Sequence, residues 1–144
     1  MPESPASLAE RVLYTARVQA TGGRDRGTAR SSDRSFDITF SVPGLCGSGS
    51  NPEQLLAAAW SASFLSSLKL VAAQMGVGFL YEPAIDIEID LCTRGGGRFL
   101  QTRISVNLAG LDRQLSETIV DGAHELCPFC KATRGRVNVT LSVA

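Results

Sequence analysis

Histidine is almost missing from this chain: His124 is the only one in 144 residues. A Ser-His hydrolase would rest on that single imidazole, with no partnering acid identified, so nucleophilic serine chemistry has little support. Charge of one sign is also missing. Fourteen basic and 14 acidic residues cancel, which argues against a broad nucleic-acid or anionic-membrane surface and leaves room only for a local basic patch. The start, "MPESPASLAERV", has no apolar core, so no secretory leader is expected. No run of 18 apolar residues occurs. The closest approach, within 52–75, is interrupted by Ser61, Ser63, Ser66, Ser67 and Lys69, and no membrane span is expected. Internal repeats and long linkers are absent. The expectation is a soluble cytoplasmic protein with one domain over 1–144, of which 1–10 form a loose tail. Four cysteines are present, Cys46, Cys92, Cys127 and Cys130. In a reducing compartment they read as thiols or a redox pair rather than as a structural disulfide frame.

Hydropathy patterning predicts β-β-α-β-β-α-β. Val12, Tyr14, Ala16, Val18 and Ala20 alternate, as do Phe36, Ile38, Phe40 and Val42, giving two paired strands over 11–20 and 35–42. Between them "TGGRDRG" (21–27) reads as a glycine turn. A helix is predicted over 52–75. Asn51 can cap it, Pro52 occupies its first position, Gln54 completes a capping-box-like start and Gly76 stops it. Its leucines, alanines, Trp60 and Phe64 lie all round the axis, the pattern of a buried helix, and its small residues permit close approach of another backbone. "AIDIEIDL" (84–91) sets Ile85, Ile87, Ile89 and Leu91 against Asp86, Glu88 and Asp90, a strand with one wet face. A turn at 93–98 leads to a strand over 100–108. A helix over 111–126 carries Leu115, Ile119, Ala123 and Leu126 on one stripe, with Asp112 as cap and Pro128 as its end. A last strand covers 136–143. Strands gathered in hairpins make this an α+β fold with largely antiparallel sheets.

The segment "HELCPFCKATRGR" contains a CxxC, Cys127 and Cys130. Such a pair is either redox-active or half of a metal site. Redox pairs usually occupy a helix N-terminus, and this one is expected at a helix C-terminal end, which weakens that reading. His124, Cys127 and Cys130 supply three potential zinc ligands without a fourth, so no metal is expected. Cys130 can equally be a simple space-filling residue. Arg24 in its glycine turn and Glu53 at a helix start are each ordinary when taken singly.

Taken together, "LYTARVQATGGRDRG", "SGSNPEQLLAAAWSASF", "LCPFCKATRG" and the closing strand resemble the organic hydroperoxide resistance (Ohr) proteins of the OsmC superfamily. The order and spacing correspond from about Leu13 to Val143. The resemblance implies an OsmC-like fold, antiparallel sheets around two long central helices in an intertwined homodimer. It implies a thiol peroxidase that reduces organic and fatty-acid hydroperoxides and is recycled by dihydrolipoyl groups, free or on a lipoylated protein. No bound cofactor, nucleic acid or membrane is implied. Carried over position by position, Arg24 matches the arginine that holds the reactive thiolate, Glu53 the acid paired with it, and Cys127 the resolving cysteine. The peroxidatic cysteine falls on Ser63. Cys130 departs from the pattern, which commonly has serine there.

A peroxidatic centre needs a thiolate that attacks the O–O bond and becomes a sulfenic acid. A serine hydroxyl is not ionised near neutral pH, is a poor nucleophile toward peroxide and cannot form a disulfide. Ser63 is thus either an introduced Cys→Ser change or a natural divergence, and this form is expected to be inactive. Two alternatives stand beside the peroxidase: a non-catalytic OsmC-like binding protein, and a CxxC redox or metal-binding protein using Cys127 and Cys130. Trp60 and Phe64, near Ser63 in sequence, either wall an apolar substrate pocket or are plain core. Glu53 and Ser63 are ten residues apart, about 15 Å along one helix. The acid can serve position 63 only if a second copy of the helix packs antiparallel to the first.

Overall fold

The computed structural model describes residues 10–45 and 47–144. The tail expected over 1–10 lies, apart from Glu10, outside the described residues, as does Cys46. The chain forms two compact units that divide between Asn51 and Pro52.

In the first unit, β1 (Val18–Thr21), β2 (Thr28–Ser31) and β3 (Asp37–Thr39) form an antiparallel sheet in that order. The two expected strands therefore do not pair directly: β2 lies between them. Its sequence gave no periodic signal because its inward residue is the small Ala29, buried between exposed Thr28 and Arg30. The first strand starts later than its alternation suggests, and Val12, Leu13 and Tyr14 are exposed outside the ladder. The expected glycine turn closes into a single helical turn, α1 (Gly23–Arg26). Gly22 and Gly23 take positive φ, 79° and 76°. At Gly27 a Cβ would stand 2.3 Å from the carbonyl oxygens of Gly23 and Thr21. Only glycines close this turn, and they hold half-buried Arg24 within it.

The second unit runs α2 (Pro52–Gln74), β4 (Ala84–Arg94), β5 (Gly97–Asn107), α3 (Arg113–Leu126), α4 (Pro128–Thr133) and β6 (Asn138–Val143). β4 and β5 form a long hairpin whose turn needs positive φ at Gly95 and Gly96, 56° and 83°. On one face Ile87 lies opposite Ile104 and Ile85 opposite Val106, and these residues pack in or against the core. On the wet face Arg103 reaches Glu88 and Asp90, each at 2.7 Å. Hydrogen bonds from Arg103 and then Gln101 hold the Asp90 carboxyl down at about 2. β6 pairs with β5 in parallel, so this sheet is mixed rather than wholly antiparallel. The α3–α4 segment supplies the crossover that a parallel return requires.

Asp112 caps α3 as expected, accepting from the Leu115 amide at 2.9 Å. The buried stripe is rotated from the expected one. Ser116, Ile119, Val120 and Ala123 face inward, Leu115 is half-buried, and Leu126 is exposed. Pro128 ends α3 but also opens α4, occupying its first turn where a missing N–H costs nothing.

α2 is about 35 Å long at ~1.5 Å per residue and packs on α3, α4 and β4. Trp60, Phe64, Ser67, Leu68, Val71 and Ala72 are buried. At Gly122 of α3 a Cβ would stand 3.1 Å from Val71, which marks a close approach of the two helices. Among the described residues the helix is not buried on all sides: α3, α4 and β4 pack on one face. Ala58, Ala59, Ala62, Ser66, Leu70 and Ala73 are exposed. By length and composition alone α2 could also cross a membrane, contrary to the expectation from its serines.

Leu68 has no exposed surface and sits in the core cluster. Leu68→Ala should destabilise the chain by about 3 kcal/mol, transfer and cavity terms together. Urea unfolding should show a lower midpoint at unchanged slope; a loss under about 0.5 kcal/mol would mean that this face is not the core.

Candidate active site

Two elements build the site. One is the buried face of α2, where Trp60, Ser63, Phe64 and Ser67 follow at helical spacing. The other is the junction at Cys127, which is the C-cap of α3 and also the N-cap of α4. The Cys127 backbone is extended there, φ −63° and ψ 121°. The CxxC therefore occupies the start of a helix, with Cys127 as the N-cap of α4 and Cys130 within its first turn, and not only the end of one as expected. The missed signal was Pro128, which reads as a helix start as readily as a stop. Arg134, also missed, fastens the junction by donating to the His124 carbonyl oxygen at 3.1 Å and pairing with Glu125 at 3.5 Å.

The junction brings position 63 and Cys127 together. The Cys127 thiol donates to Ser63 Oγ at 3.7 Å, across 64 residues of sequence. Ser63 is half-buried and Cys127 fully buried. The Ser67 hydroxyl donates to the Ser63 carbonyl oxygen at 3.2 Å. One turn earlier on α2, the Trp60 indole N–H donates to Cys130 Sγ at 3.4 Å. Phe64 meets His124 edge to face, with ring centroids 6.4 Å apart. Trp60 and Phe64 have no exposed surface and belong to the core cluster. Cys130 belongs to it too, and burial pushes its thiol up to about 11, against a smaller downward pull from the indole N–H.

The remaining candidates come from other segments of the chain. Glu53, half-buried, is in the first turn of α2, and the same helix carries Ser63 nearly three turns further on. Arg24 belongs to the first unit. Among the described residues no three His, Cys, Asp or Glu side chains converge as metal ligands. His124, Cys127 and Cys130 are thus neighbours along the chain without forming a zinc site. His124 Nδ1 is buried and has no hydrogen-bond partner.

A thiol beside a hydroxyl can exchange a hydrogen bond and no electrons. A thiol beside a second sulfur can close a disulfide. Position 63 therefore decides which chemistry Cys127 can enter from this side.

Comparison with known proteins identifies the family and the fold. The family model described as OsmC-like protein matches residues 44–142. The organic hydroperoxide resistance protein of Xanthomonas axonopodis pv. citri is 42% identical over 139 residues, covering 94% of this chain and 97% of that protein. The crystal structure of the organic hydroperoxide resistance protein OhrB of Bacillus subtilis superposes with a TM-score of 0.85 at 36% identity, over 92% of this chain and all of that one. A Legionella pneumophila structure, also named an organic hydroperoxide resistance protein, gives 0.85 at 33% identity, over 93% of this chain and 99% of that one.

The raised Cys130 pKa has a consequence for stability. The unfolded thiol ionises near its usual 9.0, while the folded one stays protonated to about 11. Between those values the unfolded state gives up its proton first, so stability is lost as pH rises. The stability difference between the native chain and Cys130→Ala should be constant below pH 9 and shrink above it in urea titrations. A difference that stays flat to pH 11 would place Cys130 in a wetter setting.

Proposed function

The chain belongs to the OsmC-like family of organic hydroperoxide resistance proteins, and on that premise we propose that it has the frame of a thiol peroxidase whose first sulfur is replaced by the Ser63 hydroxyl. The observation that carries this reading is the 3.7 Å approach of Cys127 Sγ to Ser63 Oγ. A resolving thiol has use for a neighbour at that distance only if the neighbour is sulfur.

With a cysteine at position 63 the cycle balances. The thiolate attacks one peroxide oxygen, the O–O bond breaks, and the alkoxide leaves as an alcohol after taking a proton. The sulfur, now a sulfenic acid, is attacked by Cys127, a disulfide forms and water leaves. A dihydrolipoyl group then exchanges with that disulfide and departs oxidised. Arg24 and Glu53 keep the parts the resemblance assigns them, a guanidinium that favours the thiolate and the carboxylate beside it. The substrate is an organic or fatty-acid hydroperoxide, with Trp60 and Phe64 as the apolar residues next to position 63. No bound cofactor takes part. With Ser63 in place the first step does not occur, and this form is inactive.

The active assembly is a homodimer in the cytoplasm. Its support is the uncovered apolar face of α2, with Leu70 52% exposed, and the exposed Val12 and Tyr14 outside the first sheet. A second copy of α2 packed antiparallel would cover that face and bring its own Glu53 toward this helix's middle.

Hydroperoxide consumption with dihydrolipoamide as reductant tests the proposal. The unsubstituted chain should be silent, and Ser63→Cys should turn over alkyl hydroperoxides faster than hydrogen peroxide. Sedimentation of either form should give twice the chain mass. Silence in a folded, dimeric Ser63→Cys protein would favour the non-catalytic binding reading instead.

A further inference from the structure

The peroxidase reading uses Cys127 and leaves Cys130 without a task, although Cys130 is the position that departs from the family pattern. We propose that Cys127 and Cys130 are a redox couple in their own right, closing to an intrachain disulfide by exchange with a small uncharged disulfide that enters beside Cys130. This does not rest on the hydroperoxide reading, because it needs neither a peroxide nor a sulfur at position 63.

Three features carry it. The first is placement. Cys127 and Cys130 are three residues apart across one closed turn, in which the Lys131 amide donates to the Cys127 carbonyl oxygen at 3.0 Å. The two thiols interact directly: beyond burial, a hydrogen bond with Cys127 adds to the rise of the Cys130 pKa. Cys127 stands at the N-cap with extended backbone while Cys130 is in the helix.

The second is the facing helix. Trp60 and Ser63, also three apart, meet the two sulfurs in matching order, the indole on Cys130 at 3.4 Å and the hydroxyl on Cys127 at 3.7 Å. Cys130 sits in the core cluster, yet its sulfur also accepts the indole hydrogen of the sole tryptophan, a contact that simple space-filling does not require. That N–H stabilises a thiolate, which is the reactive form.

The third is access. A cavity of about 290 Å³ is bordered by Cys130, His124, Thr133, Arg134 and Asn138, with Cys127 not among its lining residues. Both cysteines are buried, and Cys130 is the member of the pair that borders the cavity. The Arg134 guanidinium on the wall is engaged by the His124 carbonyl oxygen and by Glu125, and Gly135, Val137 and Val139 complete the lining, which suits a small neutral molecule.

The exchange has two steps. The Cys130 thiolate attacks one sulfur of the small disulfide; its S–S bond breaks, one thiolate leaves, and Cys130 carries a mixed disulfide. The Cys127 thiolate attacks the Cys130 sulfur, the second thiolate leaves, and the Cys127–Cys130 bond forms. The protein dithiol is oxidised by two electrons, the small disulfide is reduced to two thiols, and these take up the two protons released. Because burial holds Cys130 protonated to about 11, the first step is slow at neutral pH and quickens as pH rises.

The test uses the native chain and bis(2-hydroxyethyl) disulfide under anaerobic conditions. Two readouts serve. Trp60 fluorescence reports directly, since its indole touches Cys130 Sγ. Alkylation and tryptic mapping follow the peptide 114–131, which holds Cys127 and Cys130 but neither Cys46 nor Cys92. That peptide should become two hydrogens lighter and resist alkylation. Trp60 emission should change in step, dithiothreitol should reverse both, and the rate should climb about tenfold per pH unit between pH 7 and 9. Cys127→Ser should stall at a mixed disulfide on Cys130. Both thiols staying reduced in the folded chain while the urea-unfolded chain oxidises would overturn the proposal. So would a native chain that stops at the mixed disulfide.

Discussion

One face of α2 against the α3–α4 junction is the contact on which the centre depends. Trp60, Phe64 and Leu68 anchor that face in the core, and Ile119, Val120, Ala123, Cys127 and Cys130 receive it. Close packing is what gives the chemistry its precision. A helix held by three large buried side chains cannot drift, so the atom at position 63 stays at a defined distance from Cys127. The junction is fixed as firmly, by Pro128 at the start of α4 and by Arg134 tying the end of α4 to the last turn of α3. The sheet behind supplies rigidity: the β4–β5 hairpin is eleven residues on each side and closes on Ile85, Ile87, Ile104 and Val106.

Within that fixed frame, a single atom separates a redox centre from a hydrogen bond. Sulfur at position 63 would stand where bond formation to Cys127 needs only a small movement. Oxygen at the same place accepts the Cys127 proton and nothing further. Cys130 lies three residues further along the chain, held by the Trp60 indole. Cys127 thus has two neighbours, position 63 and Cys130, and which of them carries sulfur determines which disulfide it can form. The two proposed chemistries share one residue and differ in the partner.

Much of the second unit was legible because its elements are long and regularly patterned. The helix over 52–75, the strand over 84–91 and the Asp112 cap each follow from caps or alternation within a few neighbouring residues. The first unit was harder. β2 contributes only Ala29 to its buried side, too small to mark a strand, and the alternating Val12 and Tyr14 lie outside the sheet, so periodicity misplaced β1. The parallel pairing of β6 is a tertiary choice that no local pattern encodes. α4 hid behind Pro128, read as a stop when it was also a start. The partners of the thiols were partly legible. Motif order linked Ser63 to Cys127 only through a family pattern, whereas the Trp60–Cys130 hydrogen bond had no signal, since a buried indole can find its acceptor on any neighbouring element.

In the proposed peroxidase, position 63 and Cys127 are two halves of one thiol centre. Disulfide mapping of Ser63→Cys after one equivalent of an alkyl hydroperoxide tests it most directly. A bond between position 63 and Cys127 should be the first product, absent from the unsubstituted chain under the same treatment. A sulfenic acid persisting at position 63 beside a reduced Cys127 would contradict it.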